Sequence, residues 1–448
     1  MNISIRLETL SARATALSAV SAGCALLLYV VLCDFVIGAL TDERILMTPD
    51  ASPASFIIAP LTEARVGVNP EVLKAVSAYF PYSPRLHMRV AESEMRESGK
   101  DLPSAEFHAL RAAALSPHDY RPRLLLASIR ESKEEFQAAE ESVRAALRFA
   151  PNNPEAHWQL ATLLLNGEKL AESLNEFRLA SSGHVKYFLA ALDMVWSASR
   201  EDVDSVRAVT PNDPKRRLAL ARFLLQQSHP SESAAIFKQI DRSALLDDWE
   251  SSQYLDAMMA AKHLGLAREL WSALVSSNDD VYEANMNPIW NGGFESDILL
   301  SFAQFDWSIG SSNYAQISID NKTAHSGTRS LRLDFVGRDT TRLDEEVKQL
   351  TLIHPGTHYR LHCYIKTDGL VTPEGPRVVV TESPSTAWIA ASNPVPSGSN
   401  DWQLLTVDFA APSPALLISV KRQPTFSYDD PTRGTVWFDD FQIRALNR

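Results

Sequence analysis

A helical pattern that recurs along the chain is the feature that most constrains its fold. Pro117 and Pro151, which stand 34 residues apart, each close an Ala-rich helical stretch. Pro154 and Pro214 each begin another stretch and follow an Asn or Asp; proline suits the first helical turn, and such a neighbour can cap it. Five positions agree between these last two segments: Leu160, Ala161, Leu164, Ser173 and Phe177 in the first, and Leu220, Ala221, Leu224, Ser233 and Phe237 in the second. Part of the chain must therefore consist of copies of one helical unit.

On these residues the chain resembles the tetratricopeptide repeat (TPR) family, whose 34-residue unit has two helices, small residues where the helices cross and a terminal proline. The resemblance covers about residues 70–278. It implies an all-α solenoid of about four to six helical hairpins. Residues 186–210 are expected to form a shortened unit, and residues 254–275 a last hairpin.

The same resemblance implies a protein partner, because members that bind ligands do so along a concave face lined by the first helix of each repeat. By the family register, that face comprises Glu155, Trp158, Thr162 and Asn166, followed by Lys215, Arg222 and Gln226. The Asn and basic residues with which some members clamp a peptide carboxylate are absent, since other residues hold those positions: Leu124, Ser128, Gln159 and Thr162. Trp158 is the expected anchor. Helices that pack only for stability are the alternative.

Near residue 285 the helical spacing gives way to short alternating stretches, such as Leu331, Leu333 and Phe335. Each stretch is bounded by turn residues, for example Ser326 and Gly327. About eight or nine such strands in about 160 residues predict an antiparallel β-sandwich. Most of its aromatic residues, including Trp402 and Trp437, are expected in the core.

Three motifs of this region resemble, in their order, the jelly-roll carbohydrate-binding modules that are appended to xylanases and other glycanases. They are NGGFE at 291–295, HSGTRSLRL at 325–333 and VWFDDFQI at 436–443. The resemblance covers about residues 288–444 and implies a jelly roll with a glycan as its ligand. Sugar contact needs aromatic faces flanked by amides and carboxylates, and the candidates are Trp388, Phe426 and Tyr428.

Asp439 is a candidate metal ligand, because it falls in phase with the apolar residues Trp437, Phe441 and Ile443 of the last stretch. An inward carboxylate costs several kcal/mol unless it is paired or hydrogen-bonded. Modules of the resembling type often hold a structural Ca²⁺ between their opening and closing strands. That implies Glu295 with Asp439 or Asp440 as ligands here. Hydrogen bonds from loop amides to the carboxylate are the alternative.

Residues 17–40 form an apolar stretch with a single charge, Asp34. As a helix it would span about 36 Å, enough for a hydrocarbon core of about 30 Å. Arg6 and Arg13 precede it, which predicts a cytoplasmic tail at 1–16 and an extracytoplasmic remainder. The chain is thus expected to be a single-pass protein of the inner membrane, with a Pro-containing linker at 41–69. A cleaved signal peptide is the alternative.

Composition excludes several classes of function. The 43 Lys and Arg against 55 Asp and Glu disfavour a duplex nucleic-acid partner, which needs a basic surface. The three cysteines form no CxxC, and the 17 glycines include neither a P-loop nor a GxGxxG. No GxSxG or HExxH occurs, and no span of catalytic-domain size remains. The chain is therefore predicted to be a non-enzyme.

Taken together, the sequence predicts a multidomain protein with a transmembrane anchor, a TPR-like domain at 70–285 and a sandwich at 286–448. Its expected role is that of a scaffold that recruits a protein through the helices and a glycan or protein through the sandwich. Assembly or export of an envelope polysaccharide in a bacterium is the expected setting. A protein-only scaffold with a structural sandwich is the main alternative, and a carbohydrate-active enzyme is the other.

Overall fold

The structure, a computed structural model, describes residues 70–96, 101–275, 287–385 and 387–446, with ten scattered residues between 18 and 32. It divides into two compact units, of which the first ends at Pro211 and the second begins at Asn212. Across these described residues no helix is long and apolar enough to cross a membrane. Most of the predicted anchor at 17–40, and all of the linker at 41–69, lies outside the described residues.

Helices make up the described part of the first unit. They are α1 (Pro70–Tyr79), α2 (Pro84–Arg96), α3 (Leu102–Leu115), α4 (Arg121–Ser132), α5 (Phe136–Leu147), α6 (Pro154–Asn166), α7 (Leu170–Gly183), α8 (Val185–Ala198) and α9 (Val203–Ala208). From α2 onward they form antiparallel pairs. The pair α8 and α9 is the shortened unit expected from the sequence, because α9 has only 6 residues.

The second unit begins with helices and continues with strands. Its helices are α10 (Pro214–Gln226), α11 (Pro230–Phe237), α12 (Arg242–Leu246), α13 (Trp249–Ala260) and α14 (Leu264–Val275). Its strands are β1 (Ser308–Ile309), β2 (Ala315–Asp320), β3 (Ser330–Val336), β4 (Val347–Leu352), β5 (His358–Val371), β6 (Arg377–Glu382), β7 (Trp388–Ala391), β8 (Gly398–Ala410), β9 (Ala415–Lys421) and β10 (Arg433–Ala445). The described strands thus exceed the expected number by one or two.

One turn conformation recurs inside the helical hairpins. The second residue after the first helix has a positive φ in five of them: 63° at Glu134, 60° at Glu168, 59° at Arg200, 64° at Ser228 and 65° at Lys262. The next residue then donates its N–H to a carbonyl five residues back, as from Glu135 to Arg130 at 2.9 Å. This is the helix-ending bond that usually favours glycine. Its recurrence at 34-residue intervals, from 134 to 168 and from 228 to 262, confirms the two-helix repeat.

The predicted helix starts and crossings are also confirmed. The side chain of Asn153 accepts a hydrogen bond from the amide of Ala156 at 2.9 Å, which caps α6. Asp213 caps α10 in the same way, through the amide of Arg216 at 3.3 Å. Ala161 on α6 and its counterpart in α10 are fully buried, as a close helix crossing requires.

The sandwich consists of two five-stranded antiparallel sheets, with strand orders β1-β4-β9-β6-β7 and β2-β3-β10-β5-β8. One hydrophobic core lies between them and includes Leu333, Leu361, Ile418 and Phe438. Alternate positions of each strand supply this core, as the sequence pattern predicts. The two-layer antiparallel architecture is therefore as expected.

A bulge in β10 changes the predicted phase of the last strand. The pairing of β10 with β5 shifts between Asp439 and Gln442, and Asp440 has a φ of 53°. Phe438 and Phe441 both join the core, so Asp439 lies on the opposite face of the sheet, with Trp437. The phase that placed Asp439 with Phe441 was wrong, because one extra residue reverses the alternation.

An aromatic cluster joins the last helix of the second unit to its sandwich. The ring of Trp271 on α14 packs edge-on against Trp290 and Phe305, with centroids 5.2 and 5.7 Å away. Its Nε1 donates to the carbonyl of Phe302 at 2.7 Å. The guanidinium of Arg268 lies 4.8 Å from the centre of the same indole. The helices from residue 212 and the sandwich therefore share packing across residue 285.

We predict that Trp271→Ala destabilises α14 and the sandwich together, by about 3–5 kcal/mol, which is typical when a buried aromatic is removed. Hydrogen exchange of the full chain measures this, because peptides from α14 and from β4 should lose protection in parallel. Trp249→Ala is the matched control, since Trp249 on neighbouring α13 is 67% exposed. Loss of protection in α14 alone would place an independent core boundary at residue 285.

Candidate functional site

A groove of about 510 Å³ runs along the first unit and is lined by the first helices of three successive hairpins, α2, α4 and α6. This is the face that the TPR register predicts. The lining residues are Met88, Glu92, Tyr120, Arg121, Leu124, Leu125, Ser128, Glu131, Glu155, Trp158, Gln159 and Thr162.

Three of the seven predicted partner-binding residues, Glu155, Trp158 and Thr162, line this groove. Asn166 is exposed at the end of α6 and is not part of the lining. The other three lie on α10 of the second unit: Lys215, Arg222 and Gln226. There, Arg222 pairs with Glu250 at 3.4 Å.

The indole of Trp158 is partly buried and held from one side. Its ring lies 5.3 Å from Phe177 and 5.4 Å from Tyr187. The rest of the indole borders the groove. A side chain fixed in this way loses little conformational entropy when a ligand packs on it, which favours its role as an anchor.

The residues at the positions of the family's carboxylate clamp form an uncharged floor of the groove, and their polar groups are hydrogen-bonded within the protein. Gln159 Nε2 donates to Ser128 Oγ at 2.9 Å, which ties α6 to α4. Thr162 Oγ1 donates to the carbonyl of Gln159 at 2.9 Å. With no cation at these positions, the floor offers no charge to a C-terminal carboxylate.

The groove carries acidic side chains whose charge is only partly compensated. Its one guanidinium, on Arg121, is bound by Asp119 through Nη2 at 2.7 Å. Glu92 pairs with Arg89 at 3.1 Å. Among the residues that the structure describes, neither Glu131 nor Glu155 pairs with a Lys or Arg. Burial raises the pKa of Glu131, as expected for a carboxylate that lacks a cationic partner.

Sequence reasoning missed the wall of the groove that α2 provides, Met88 and Glu92. A repeated motif could have revealed it, because Pro-x-x-Pro-x-x-His occurs at 81–87 and again at 151–157. In both copies the histidine Nε2 lies against the carbonyl of the first proline, at 3.2 Å from Pro81 and 2.8 Å from Pro151. The motif therefore places α2 in the register of α6.

The structure divides the three predicted glycan contacts between two places. Trp388, 45% exposed, lies on the edge strand β7 opposite Thr381 of β6. Phe426 and Tyr428, 55% and 75% exposed, lie in the loop between β9 and β10. That loop follows Lys421 of β9, which pairs with Arg377 at the start of β6. Thr381 lies four residues further along β6, at a distance of about 13 Å. The three aromatics do not form one platform.

A buried ion pair fixes the loop that carries Phe426 and Tyr428. Arg422 and Asp430 pair at its base, and both are almost fully buried. Arg422 Nη1 also donates to the carbonyl of Thr341 at 2.6 Å. The second carboxylate oxygen of Asp430 accepts from the amide of Phe426 at 2.8 Å. The two aromatic side chains are therefore presented on an ordered backbone.

The outer face of the β2-β3-β10-β5-β8 sheet carries aromatics that sequence reasoning assigned to the core. Trp437 Nε1 donates to Asp320 at 2.8 Å, on the face opposite the core. The imidazole of His325 stacks on Tyr364, with centroids 3.5 Å apart, and Trp402 packs edge-on at 5.6 Å. Strand alternation alone does not reveal which of two apolar faces is the inner one.

The three predicted metal ligands meet around Gly293, but they are engaged by hydrogen-bond donors. Glu295 Oε1 accepts from the amides of Thr328 and Arg329 at 2.8 and 2.9 Å. Asp439 Oδ2 accepts from the amide of His325 at 2.7 Å, and Oδ1 from the amide of Asp440 at 2.7 Å. Burial raises the pKa of Asp439 to about 6.

Each N–H that points at a carboxylate oxygen takes up one of its lone pairs, which leaves fewer positions for a calcium ion that prefers six to eight oxygen ligands. Asp440 is likewise taken, through His325 Nδ1 at 2.6 Å and Ser326 Oγ at 2.7 Å. In the described parts of the chain, no group of three or more His, Cys, Asp and Glu could hold a metal. The hydrogen-bonded alternative matches this geometry.

Comparison with solved structures finds TPR proteins and carbohydrate-binding modules. YrrB, a TPR protein with an unusual peptide-binding site, is 14% identical and matches 48% of this chain and 97% of its own, with a TM-score of 0.25. MamA is 12% identical and matches 40% and 99%, with a TM-score of 0.31. The CBM22-1 xylan-binding domain of Paenibacillus barcinonensis Xyn10C is 17% identical and matches 35% and 93%, with a TM-score of 0.24. The sequence matches no protein-family model and no curated protein.

We predict that a chelator leaves the unfolding temperature of the chain unchanged, because the carboxylates of this cluster already have donors. Asp439→Asn should instead destabilise the protein by about 1–3 kcal/mol, since an amide nitrogen would face buried N–H groups. Asp429→Asn, in the exposed β9–β10 loop, is the isosteric control. A melting temperature that falls in chelator for the wild type, but not for Asp439→Asn, would establish a bound cation.

Proposed function

We propose that the chain is a non-catalytic scaffold in which the helical array binds a segment of a protein partner. The acidic, apolar-walled groove of α2, α4 and α6 is the observation that carries this proposal. Its side chains include apolar groups that a ligand can cover, such as Leu125 and Trp158. They include no arrangement of nucleophile, base and oxyanion donors, and this supports binding over chemistry.

The groove favours a partner segment that combines apolar and basic side chains. Met88, Tyr120 and Leu125 offer apolar contact, while Glu131 and Glu155 lack cationic partners among the described residues. A Lys or Arg of the ligand would neutralise Glu131, whose burial makes its charge costly in the free protein. Charge complementarity of this kind selects partners more than it adds affinity.

We also propose that the sandwich binds a glycan, with a second protein as the alternative ligand. The β9–β10 loop supports this, because Phe426 and Tyr428 are exposed on a backbone that a buried ion pair holds. Sugars pack on aromatic faces and bond to flanking carboxylates, and Asp429 stands beside Tyr428. Trp388 offers a separate, single aromatic contact on β7.

The proposal extends to location and setting. Residues 17–40 would anchor the chain in an inner membrane, with the residues after them outside the cytoplasm, where a protein and an envelope polysaccharide meet during assembly or export. The apolar sequence and the preceding Arg6 and Arg13 support the anchor. Two alternatives differ from this proposal in the role of the glycan. A protein-only scaffold would bind no glycan, and a carbohydrate-active enzyme would convert a glycan into a product.

For the groove, we predict that a fluorescent peptide of alternating Leu and Lys binds the full chain and that its Leu and Glu counterpart does not. Glu131→Lys should weaken binding at least tenfold, about 1.4 kcal/mol, by placing a cation against the ligand. Trp158→Ala should cost about 2 kcal/mol through loss of the anchor. Fluorescence anisotropy measures both effects.

Glu141→Lys is the control for this experiment, because Glu141 is exposed on α5 outside the groove. Its substitution changes the net charge of the chain by the same amount as Glu131→Lys. Equal loss of binding in Glu141→Lys and Glu131→Lys would show non-specific attraction. Equal affinity for the two peptides would contradict an acidic recognition site.

For the sandwich, we predict that the full chain retains a polysaccharide on a glycan array and that Tyr428→Ala lowers its affinity about tenfold, or about 1.4 kcal/mol. Trp388→Ala removes the separate aromatic contact on β7, so a loss of affinity in this variant alone would move the site to that strand. If Trp402→Ala were the only variant to lose glycan affinity, the binding site would lie on the outer face of the β2-β3-β10-β5-β8 sheet. No retention of any glycan by the wild type would favour the protein-only scaffold.

A further inference from the structure

Two buried histidines share a hydrogen bond inside the hairpin of α2 and α3. His87 Nδ1 lies 2.8 Å from His108 Nδ1, and both residues are more than nine-tenths buried. His87 Nε2 lies 3.2 Å from the carbonyl of Pro81. A carbonyl only accepts, so Nε2 of His87 carries a proton and its Nδ1 accepts one from His108. The tautomers assigned from these partners describe a neutral pair.

Acid disturbs this histidine pair, because only the first of two added protons finds a ring nitrogen outside the hydrogen bond between the rings. One proton can go to Nε2 of His108. The next must go to Nδ1 of His87, where two N–H groups would then face each other across 2.8 Å. Either charge would also lie in a buried site, and the carboxylate of Glu94 offsets that cost only in part because it already pairs with Lys74. Burial lowers the pKa of both His87 and His108.

The equivalent position two hairpins later shows the opposite arrangement. His157 is the fourth residue of α6, as His87 is of α2, and Glu176 is the seventh residue of α7, as His108 is of α3. His157 Nδ1 lies 2.6 Å from Glu176 Oε2, and Nε2 lies 2.8 Å from the carbonyl of Pro151. Two acceptors require a doubly protonated ring, and Glu176 raises the pKa of His157.

Charged groups around the pair and its hairpin come from four helices. Glu94 of α2 is buried and pairs with Lys74 of α1 at 2.7 Å. Asp101, which caps α3, also lies 3.5 Å from Lys74. Arg111 of α3 lowers the pKa of His87, and Lys74 lowers that of His108, while Glu94 raises it. From α4 and its C-terminal cap, Arg130 and Lys133 pair with Glu106 of α3 at 3.1 and 2.6 Å, and Ile129 packs in the hairpin core.

We propose that the His87–His108 contact makes the α2–α3 hairpin acid-labile, so that acidification opens this hairpin. Met88 and Glu92 of α2 line the groove, which would lose that wall. Release of a groove ligand in acid is the consequence, and this consequence alone rests on the proposed function. The α6–α7 hairpin, held by His157 and Glu176, stays closed under the same conditions.

Proton linkage sets the direction in which the stability of each hairpin changes with pH. Because burial lowers the folded pKa of both histidines, the unfolded hairpin binds more protons than the folded one below about pH 6.5. The stability of the hairpin is complete above that pH and declines as the pH falls. His157 has a raised folded pKa, so its contribution is complete in acid and declines as the pH rises.

Hydrogen exchange of the full chain at about pH 7.5 and about pH 5.5, with no ligand present, tests this proposal. After correction for intrinsic exchange, opening of α2 and α3 peptides should increase about tenfold in acid, while opening of α6 and α7 peptides should not increase. His108→Glu copies Glu176 and should abolish the acid response. His108→Gln should do the same, because an amide can rotate to accept from a protonated His87.

His118→Gln is the control, because His118 is exposed and should leave the acid response of α2 and α3 intact. Unchanged protection of the wild-type hairpin in acid would overturn the proposal, whatever the variants do. An acid response that persists in both His108 variants would overturn it too. Because no ligand is used, these outcomes are independent of whether the groove binds the Leu and Lys peptide at neutral pH.

Discussion

Close approach of two helices within each hairpin is the constraint on which the groove depends. Ala161 and Ala221 are fully buried at these crossings, where a larger side chain would separate the helices. In α11, Ser233 Oγ donates to the carbonyl of Ala221 at 2.6 Å, a buried bond that joins the two helices. The spacing of each hairpin sets the position of the next, and so aligns α2, α4 and α6 along one surface.

The repeated backbone leaves the chemistry of each hairpin free to differ. His87 and His157 occupy the same helical position and contact the same kind of carbonyl. Their second partners are His108 in one hairpin and Glu176 in the other, which reverses the direction in which each histidine pKa shifts. Hairpins with the same backbone can therefore differ in how their stability depends on pH.

The second unit is held by a different kind of contact. Trp271, Trp290 and Phe305 pack edge-on, as ring quadrupoles favour, and Arg268 covers them. Burial among these rings lowers the pKa of Arg268 to about 10. Gln304 Nε2 adds bonds to Ser252 and Asp256 of α13, at 2.8 and 2.9 Å. The helices that precede the sandwich are therefore part of its packing and are more than a linker.

The sequence by itself determined the classes of secondary structure, the 34-residue period, the caps at Asn153 and Asp213, and part of the groove. These depend on local spacing, on turn chemistry and on side chains one helical turn apart. Trp158 could be found because it shares a helix with the caps and crossings that set its register. Only the tertiary structure decided the buried pairing of His87 with His108 and the outward face of Asp439. Each of these depends on contacts between residues distant in sequence or on a single inserted residue, and neither leaves a periodic signal.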